Sequence, residues 1–244
     1  MITIFDAAQA ANAIYDSNDF PNFKFEGGCV DPKNEDTLGF EGIPNASSFK
    51  RVKFDSLGSA QVGYFSSLLN PKHVILCFRG TMGNKDIFDD DASIVLNKVK
   101  NARVDRAEFC IDFSMEFKNN FGKDKIILIT GHSLGGFLAQ VVGLATGLPF
   151  VSFNAPGASN YVRNHDYFKN KLKSSLYNGV NFRVNFDPVS YGAGDHIGPV
   201  ITLPHHGWAI HKAHVCEEVL KSVDRNKGIR NQPAIAFVGI QTKR

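Results

Sequence analysis

Residues 126–130 (Ile-Ile-Leu-Ile-Thr) run straight into Gly131-His132-Ser133-Leu134-Gly135-Gly136, and from there into a stretch with helical patterning that closes at Gly147 and Pro149. An apolar, β-branched run this short suits a strand covered on both faces. A helix from Leu134 to Thr146 entered with no linker must fold back against the strand it has just left. Strand, tight turn and covering helix together narrow the chain to a layered α/β architecture. Further short runs at Phe150–Asn154, Asn181–Phe186 and Val200–Leu203, with helical segments between, predict βαβ units and a mostly parallel sheet.

The turn itself is a G-x-S-x-G match. A serine on such a bend projects its hydroxyl above the sheet, and glycines two before and two after let neighbouring backbone pass close. The Leu134 N–H, at the start of the helix, then points beside the serine oxygen, where the positive end of the helix dipole also favours negative charge. Ser133 is therefore a candidate nucleophile and Leu134 a candidate oxyanion donor. The competing reading is a Gly-rich turn whose serine only caps the helix.

The rest of the chain fits around this unit. An Ala-rich helix is predicted over 5–15, irregular chain over 20–48, and strands at Phe49–Phe54, Gln61–Leu68 and His73–Arg79. Asn70-Pro71-Lys72 marks a hairpin between the last two. Phe109, Phe113, Phe117 and Phe121 recur every four residues, the apolar seam of a helix closed by Gly122. With 244 residues, 43% of them hydrophobic, and no repeat or break in composition, the expectation is one domain over 1–244. A net charge of +3 spread along the chain gives no basic stripe for nucleic acid, and no apolar stretch reaches the length of a membrane span. The first residues, with Asp6 and no positive leader region, do not read as a signal peptide. Cys29, Cys77, Cys110 and Cys216 are far apart, with no CxxC, and read as reduced core thiols.

An oxyanion site needs a second donor from another loop. Phe78-Arg79-Gly80-Thr81 ends the third strand, and Thr81 offers both an N–H and a hydroxyl. FRGT, GHSLGG some fifty residues on, then DPV and a late histidine resemble the class 3 (fungal-type) lipases of the α/β-hydrolase superfamily. The resemblance implies Ser133 as nucleophile, Thr81 and Leu134 as the oxyanion hole, and Asp187 with a downstream histidine completing the triad. It also implies a short lid over about 82–95. Val104-Asp105-Arg106-Ala107-Glu108-Phe109 departs from the family, which usually has a His and Gly before the Phe.

The order Ser, Asp, His agrees with position along the chain. Asp187 follows the Asn181–Phe186 strand and precedes Pro188, which stops it; Asp195 is the second choice. Among His196, His205, His206, His211 and His214, the base belongs on a loop entering the last helix. His214 stands there, with His211 the runner-up, and His196 reads as a hydrogen-bonding structural residue. His205-His206 and the His211/His214 pair lack further ligands at set spacing, and Asp89-Asp90-Asp91 lacks the form of a calcium loop, so neither a metal nor a cofactor is called for. Asn45-Ala46-Ser47 fits a glycosylation acceptor. The expected activity is hydrolysis of lipid esters through an acyl-enzyme, acylglycerols first and phospholipids second, at a lipid–water interface. An exported effector would need a neutralising partner. Acyl transfer, peptide hydrolysis and a non-catalytic binding module are the alternatives.

Overall fold

Alternation along the strands decides which layer each side chain enters. In β3 (His73–Phe78), Val74, Leu76 and Phe78 face one way and Ile75 and Cys77 the other, and all five are buried. A strand buried on both faces needs helices on both sides. The computed structural model describes residues 1–15, 18–29, 62–80, 104–165, 168, 178–192, 194–206 and 212–237, and shows that three-layer arrangement.

Seven strands form one sheet in the spatial order β1 to β7. They are β1 (Phe23–Cys29), β2 (Val62–Ser67), β3, β4 (Ile126–His132), β5 (Phe150–Phe153), β6 (Gly179–Val184) and β7 (Val200–Leu203). β1, β2 and β3 are antiparallel neighbours, and β3 through β7 are parallel. When consecutive parallel strands are also spatial neighbours, right-handed crossovers put every connecting segment on the same face. α2 (Val104–Asn120), α3 (Leu134–Thr146) and α4 (Ser159–Asn164) contribute Phe113, Phe137 and Val162 to the core on that face. The opposite face would be left bare. It is covered by α1 (Ile4–Ala13) and α6 (Cys216–Arg225), from the two ends of the chain, which bury Ala7, Ala11, Val219 and Val223 there. Thr3 caps α1 with a reciprocal capping box to Asp6. Ile4 N–H donates to Gln232 O at 3.0 Å, tying the beginning of α1 to the segment after α7 (Lys227–Arg230).

The strand–turn–helix reading holds, with α3 matching its expected bounds and buried at nearly every position. The phenylalanine seam is on α2 as expected: Phe109, Phe113 and Phe117 are buried, and the rings of Phe113, Phe117 and Phe121 stack successively. The hairpin also holds, with Asn70 Oδ1 accepting from Lys72 N–H and Asn70 O from His73 N–H. Cys77, Cys110 and Cys216 are buried free thiols, and burial pushes the Cys77 and Cys216 thiols up.

Two expectations are corrected. Residues 23–29, read as irregular, form β1, because Phe23, Lys24, Phe25 and Glu26 alternate as an edge strand needs and a bulge between Phe25 and Gly27 absorbs the glycines. β6 ends at Val184 rather than running to Phe186, since Phe186 sits at φ 70, outside extended backbone. The last long helix starts at Cys216, with His214 in the turn before it, the place at a helix entry expected of that residue. The expected strand at Phe49–Phe54, Asn45-Ala46-Ser47, Asp89-Asp90-Asp91 and the 82–95 segment lie outside the described residues.

Candidate active site

The carboxyl ends of β3, β4, β5 and β6 open on one edge of the sheet, where parallel sheets place their functional groups. β4 passes into α3 at Ser133, whose backbone (φ 57, ψ −127) lies in a region costly for a residue with a Cβ, on the order of 1–3 kcal/mol. The turn holds because Ser133 N–H donates to Phe153 O at 3.0 Å and Phe137 N–H returns to Ser133 O at 3.1 Å. Close backbone passage is the second requirement. A Cβ on Gly135 would collide with the main-chain carbonyl of Phe78, and one on Gly80 would lie 3.3 Å from the Ser133 Cβ. β3 is locked in the sheet and cannot retreat, so Gly135→Ala is expected to destabilise the protein by roughly 2–3 kcal/mol, read as a lowered denaturant midpoint at unchanged slope.

The Ser133 side chain makes no cap to α3. It turns instead toward His214, with Oγ 2.9 Å from Nε2. On the other side of the ring, His214 Nδ1 is 2.7 Å from Asp187 Oδ1. A carboxylate only accepts, so Nδ1 carries the proton and Nε2 is left to accept the Ser133 hydroxyl. Asp187 directly follows the turn after β6 and starts α5 (Pro188–Gly192), whose first N–H groups it caps: Val189 N–H to Oδ1 at 3.2 Å and Ser190 N–H to Oδ2 at 3.1 Å. Burial pushes the Asp187 carboxyl up, but His214 and these donors outweigh it and hold it below the usual carboxylate range. Asp187 is wholly buried and His214 nearly so, while Ser133 keeps 9% of its surface.

Of the sequence candidates, the structure brings Ser133, His214 and Asp187 into one hydrogen-bonded line, with Leu134 opening α3 beside them. The first-turn position leaves the Leu134 N–H without a helical acceptor. Asp195 is remote in character: its side chain is 79% exposed and lies 3.9 Å from Arg163. His196 Nε2–H donates to Ala155 O at 2.8 Å, the hydrogen-bonding place expected of it. His205 faces Glu218 at 3.9 Å, and His206 N–H donates to the same carboxylate. Thr81 and His211 lie outside the described residues.

Two residues of the site escaped sequence reasoning. Asn154, at the end of β5, donates from Nδ2 to Ala213 O at 2.7 Å and accepts Val184 N–H on Oδ1 at 2.7 Å. His132, the variable position of the serine motif, is buried with both ring nitrogens engaged: Nε2 with His214 O at 2.6 Å and Nδ1 with the Tyr15 hydroxyl at 3.0 Å. A polar residue closing an apolar strand was the only sequence signal for either.

Burial, joined by the neighbouring His214, lowers His132 from 6.5 to about 3. In the unfolded chain it binds a proton near pH 6.5, but in the fold only near pH 3. Between these values the unfolded state holds more protons, so stability falls as pH falls, by on the order of 5 kcal/mol over the window. Asp187, held low in the fold, adds a further loss beneath its ordinary range, at about pH 4 and lower. Unfolding free energies from pH 7.5 to pH 4 are expected to decline, and His132→Gln to flatten that slope by about one proton.

No protein-family model matches the chain. The solved structure of M37 lipase superposes over 92% of this chain and 95% of its own, with a TM-score of 0.50 and 13% identity. The fold is that of the α/β-hydrolases. Extracellular phospholipase A1 of Serratia liquefaciens is 35% identical over 130 residues, 52% of this chain and 35% of its own length. ATG15 of Debaryomyces hansenii, named as a lipase, is 37% identical over 93 residues, 37% of this chain. The matched stretches are thus 35% and 15% of the lengths of these curated relatives. The resemblance to lipases carried by the motifs is borne out by the sequence relatives and is consistent with the class 3 lipases, while the superposition bears out the fold. No helix among the described residues is long and apolar enough to cross a membrane.

Proposed function

We propose that the protein is a serine hydrolase of carboxylic esters of lipids, working through an acyl-enzyme. The observation that carries this is the unbroken line from Ser133 Oγ to His214 Nε2 and from His214 Nδ1 to Asp187 Oδ1, at 2.9 and 2.7 Å. Ser133 attacks the ester carbonyl as His214 takes its proton, and the same imidazolium then protonates the departing alcohol. Asp187 keeps the ring in the tautomer that can accept and stabilises the charge it acquires. The Leu134 N–H, with Thr81, stabilises the tetrahedral oxyanion. Water enters by the same route in reverse and releases the fatty acid. The reaction needs no cofactor.

Acylglycerols are the first substrate class. Phospholipid hydrolysis is the second reading, favoured by the relative that matches the larger share of this chain. A panel of triglycerides, phospholipids and short-chain aryl esters separates them, with a fluorophosphonate probe run alongside. Release of fatty acid from either lipid, together with labelling of the wild type and none of Ser133→Ala, is the expected result. Failure to label the wild type and to cleave any member of the panel would turn the reading toward a non-catalytic hydrolase fold.

A further inference from the structure

We propose that His132 is a positioning residue for the base: its Nε2–H clamps the main-chain carbonyl of His214, and the Tyr15 hydroxyl on Nδ1 fixes the tautomer that can do so. The inference rests on the proposed roles of Ser133 and His214 and names what holds that histidine in register.

The base sits in a turn, not on a helix or strand. Its ring must nevertheless stay within hydrogen-bond reach of both Ser133 and Asp187, and the φ and ψ of a turn residue are not fixed by a helix or sheet ladder. Successive carbonyls of this turn are held from the sheet edge. Asn154, the residue after β5, donates to Ala213 O, and His132, ending β4, donates to His214 O at 2.6 Å, the shorter of the two contacts. β4 also delivers Ser133 as its next residue. The distance between nucleophile and base is thus set by adjacent residues of one strand end: Ser133 by its own backbone, and His214 through the His132 ring.

The chemistry demands one tautomer. A carbonyl only accepts, so His132 Nε2 must carry the proton and Nδ1 must then be a bare acceptor. The Tyr15 hydroxyl is placed to supply that donor, at 3.0 Å, and the Gly80 backbone lies against the same hydroxyl. Tyr15 closes the segment after α1, so the helix that covers one face of the sheet also reaches the site. The His132 and His214 rings lie 4.9 Å apart between centroids. A neutral clamp holds the base without opposing the positive charge His214 acquires in turnover, as a lysine or arginine would.

Substitutions distinguish a clamp from simple packing. Glutamine can place an amide N–H where Nε2 stands and offer its oxygen to Tyr15. Asparagine reaches only as far as Nδ1, and leucine fills the space with no donor. With a soluble aryl ester, His132→Leu and His132→Asn are expected to lower kcat about 100-fold with KM little changed, and to slow fluorophosphonate labelling in step. His132→Gln is expected to recover most of that loss, and Tyr15→Phe to lose about 10-fold, since the wrong tautomer then competes. Rates are expressed per folded, labelled molecule, so that fewer folded molecules cannot pass for slower ones. Equal kcat for Gln, Asn and Leu variants would overturn the clamp, as would wild-type kcat in His132→Leu. Should the leucine variant fail to fold, the contrast between Gln and Asn with Tyr15→Phe decides alone. If Ser133→Ala is inactive while His132→Leu and His132→Asn both keep wild-type kcat, the clamp fails and the parent reading stands. If Ser133→Ala retains full activity, the parent reading fails instead.

Discussion

Ser133→Ala is expected to reduce ester turnover by about 10⁶-fold while leaving the protein folded. On the proposed mechanism the loss is large because the hydroxyl is the group that takes the acyl chain, and without it His214 would have only bulk water to activate. The fold should tolerate the change. Ser133 Oγ makes no cap to α3, and its one hydrogen bond among the described residues runs to His214 Nε2. Removing it leaves one ring nitrogen without its donor, about 1 kcal/mol or less. The turn's backbone conformation is as costly for alanine as for serine, so strain adds nothing to the difference. Purified variant and wild type are compared by initial rates on one aryl ester and by thermal unfolding. A variant that keeps more than a percent of wild-type turnover would remove Ser133 from the chemistry.

Asp187→Asn is expected to cost about 10⁴-fold in kcat. The amide presents an N–H where the His214 Nδ1–H now points, so the ring flips to the tautomer that places its proton on Nε2. That nitrogen then faces Ser133 as a donor and cannot accept its hydroxyl. The carboxylate also lowers the energy of the imidazolium, and an amide does not. Structure should suffer less than activity. The asparagine oxygen can keep one of the two N–H bonds from Val189 and Ser190, and the other is lost from a fully buried site. Destabilisation of about 1–3 kcal/mol is the expected range for a buried donor left without its partner. A folded Asp187→Asn protein with wild-type rates would transfer the orienting role to another carboxylate, although Asp195, mostly exposed and beside Arg163, is poorly placed to take it.

Both predictions concern residues legible in the sequence, for different reasons. Ser133 and Leu134 were visible because their surroundings are local: strand, glycines, serine and helix are consecutive, and the close approach to Phe78 leaves its mark as Gly135. Asp187 and His214 are candidates by order and by position relative to neighbouring elements, a Pro-stopped strand end and the approach to a helix, with His211 left as runner-up. β1 was hidden because its alternation covers only Phe23 to Glu26 before glycines interrupt it, and an edge strand with a bulge carries little periodicity.

His132 shows most clearly where local reading stops. Its two partners, Tyr15 and the His214 carbonyl, are 117 and 82 residues away in the chain, and one of them is a backbone atom with no identity to read. Asn154 is the same case, binding the carbonyl of Ala213. The amino-acid pattern by itself determined the layered α/β class, the serine turn and the apolar faces, because these follow from periodicity and from contacts within a few residues. Tertiary structure alone decided that the terminal helices cover the second face, since right-handed crossovers between neighbouring strands put every connecting helix on the first. It also decided which late histidine meets the serine, because hydrogen bonds between backbone carbonyls and distant side chains depend on where the strands end in space.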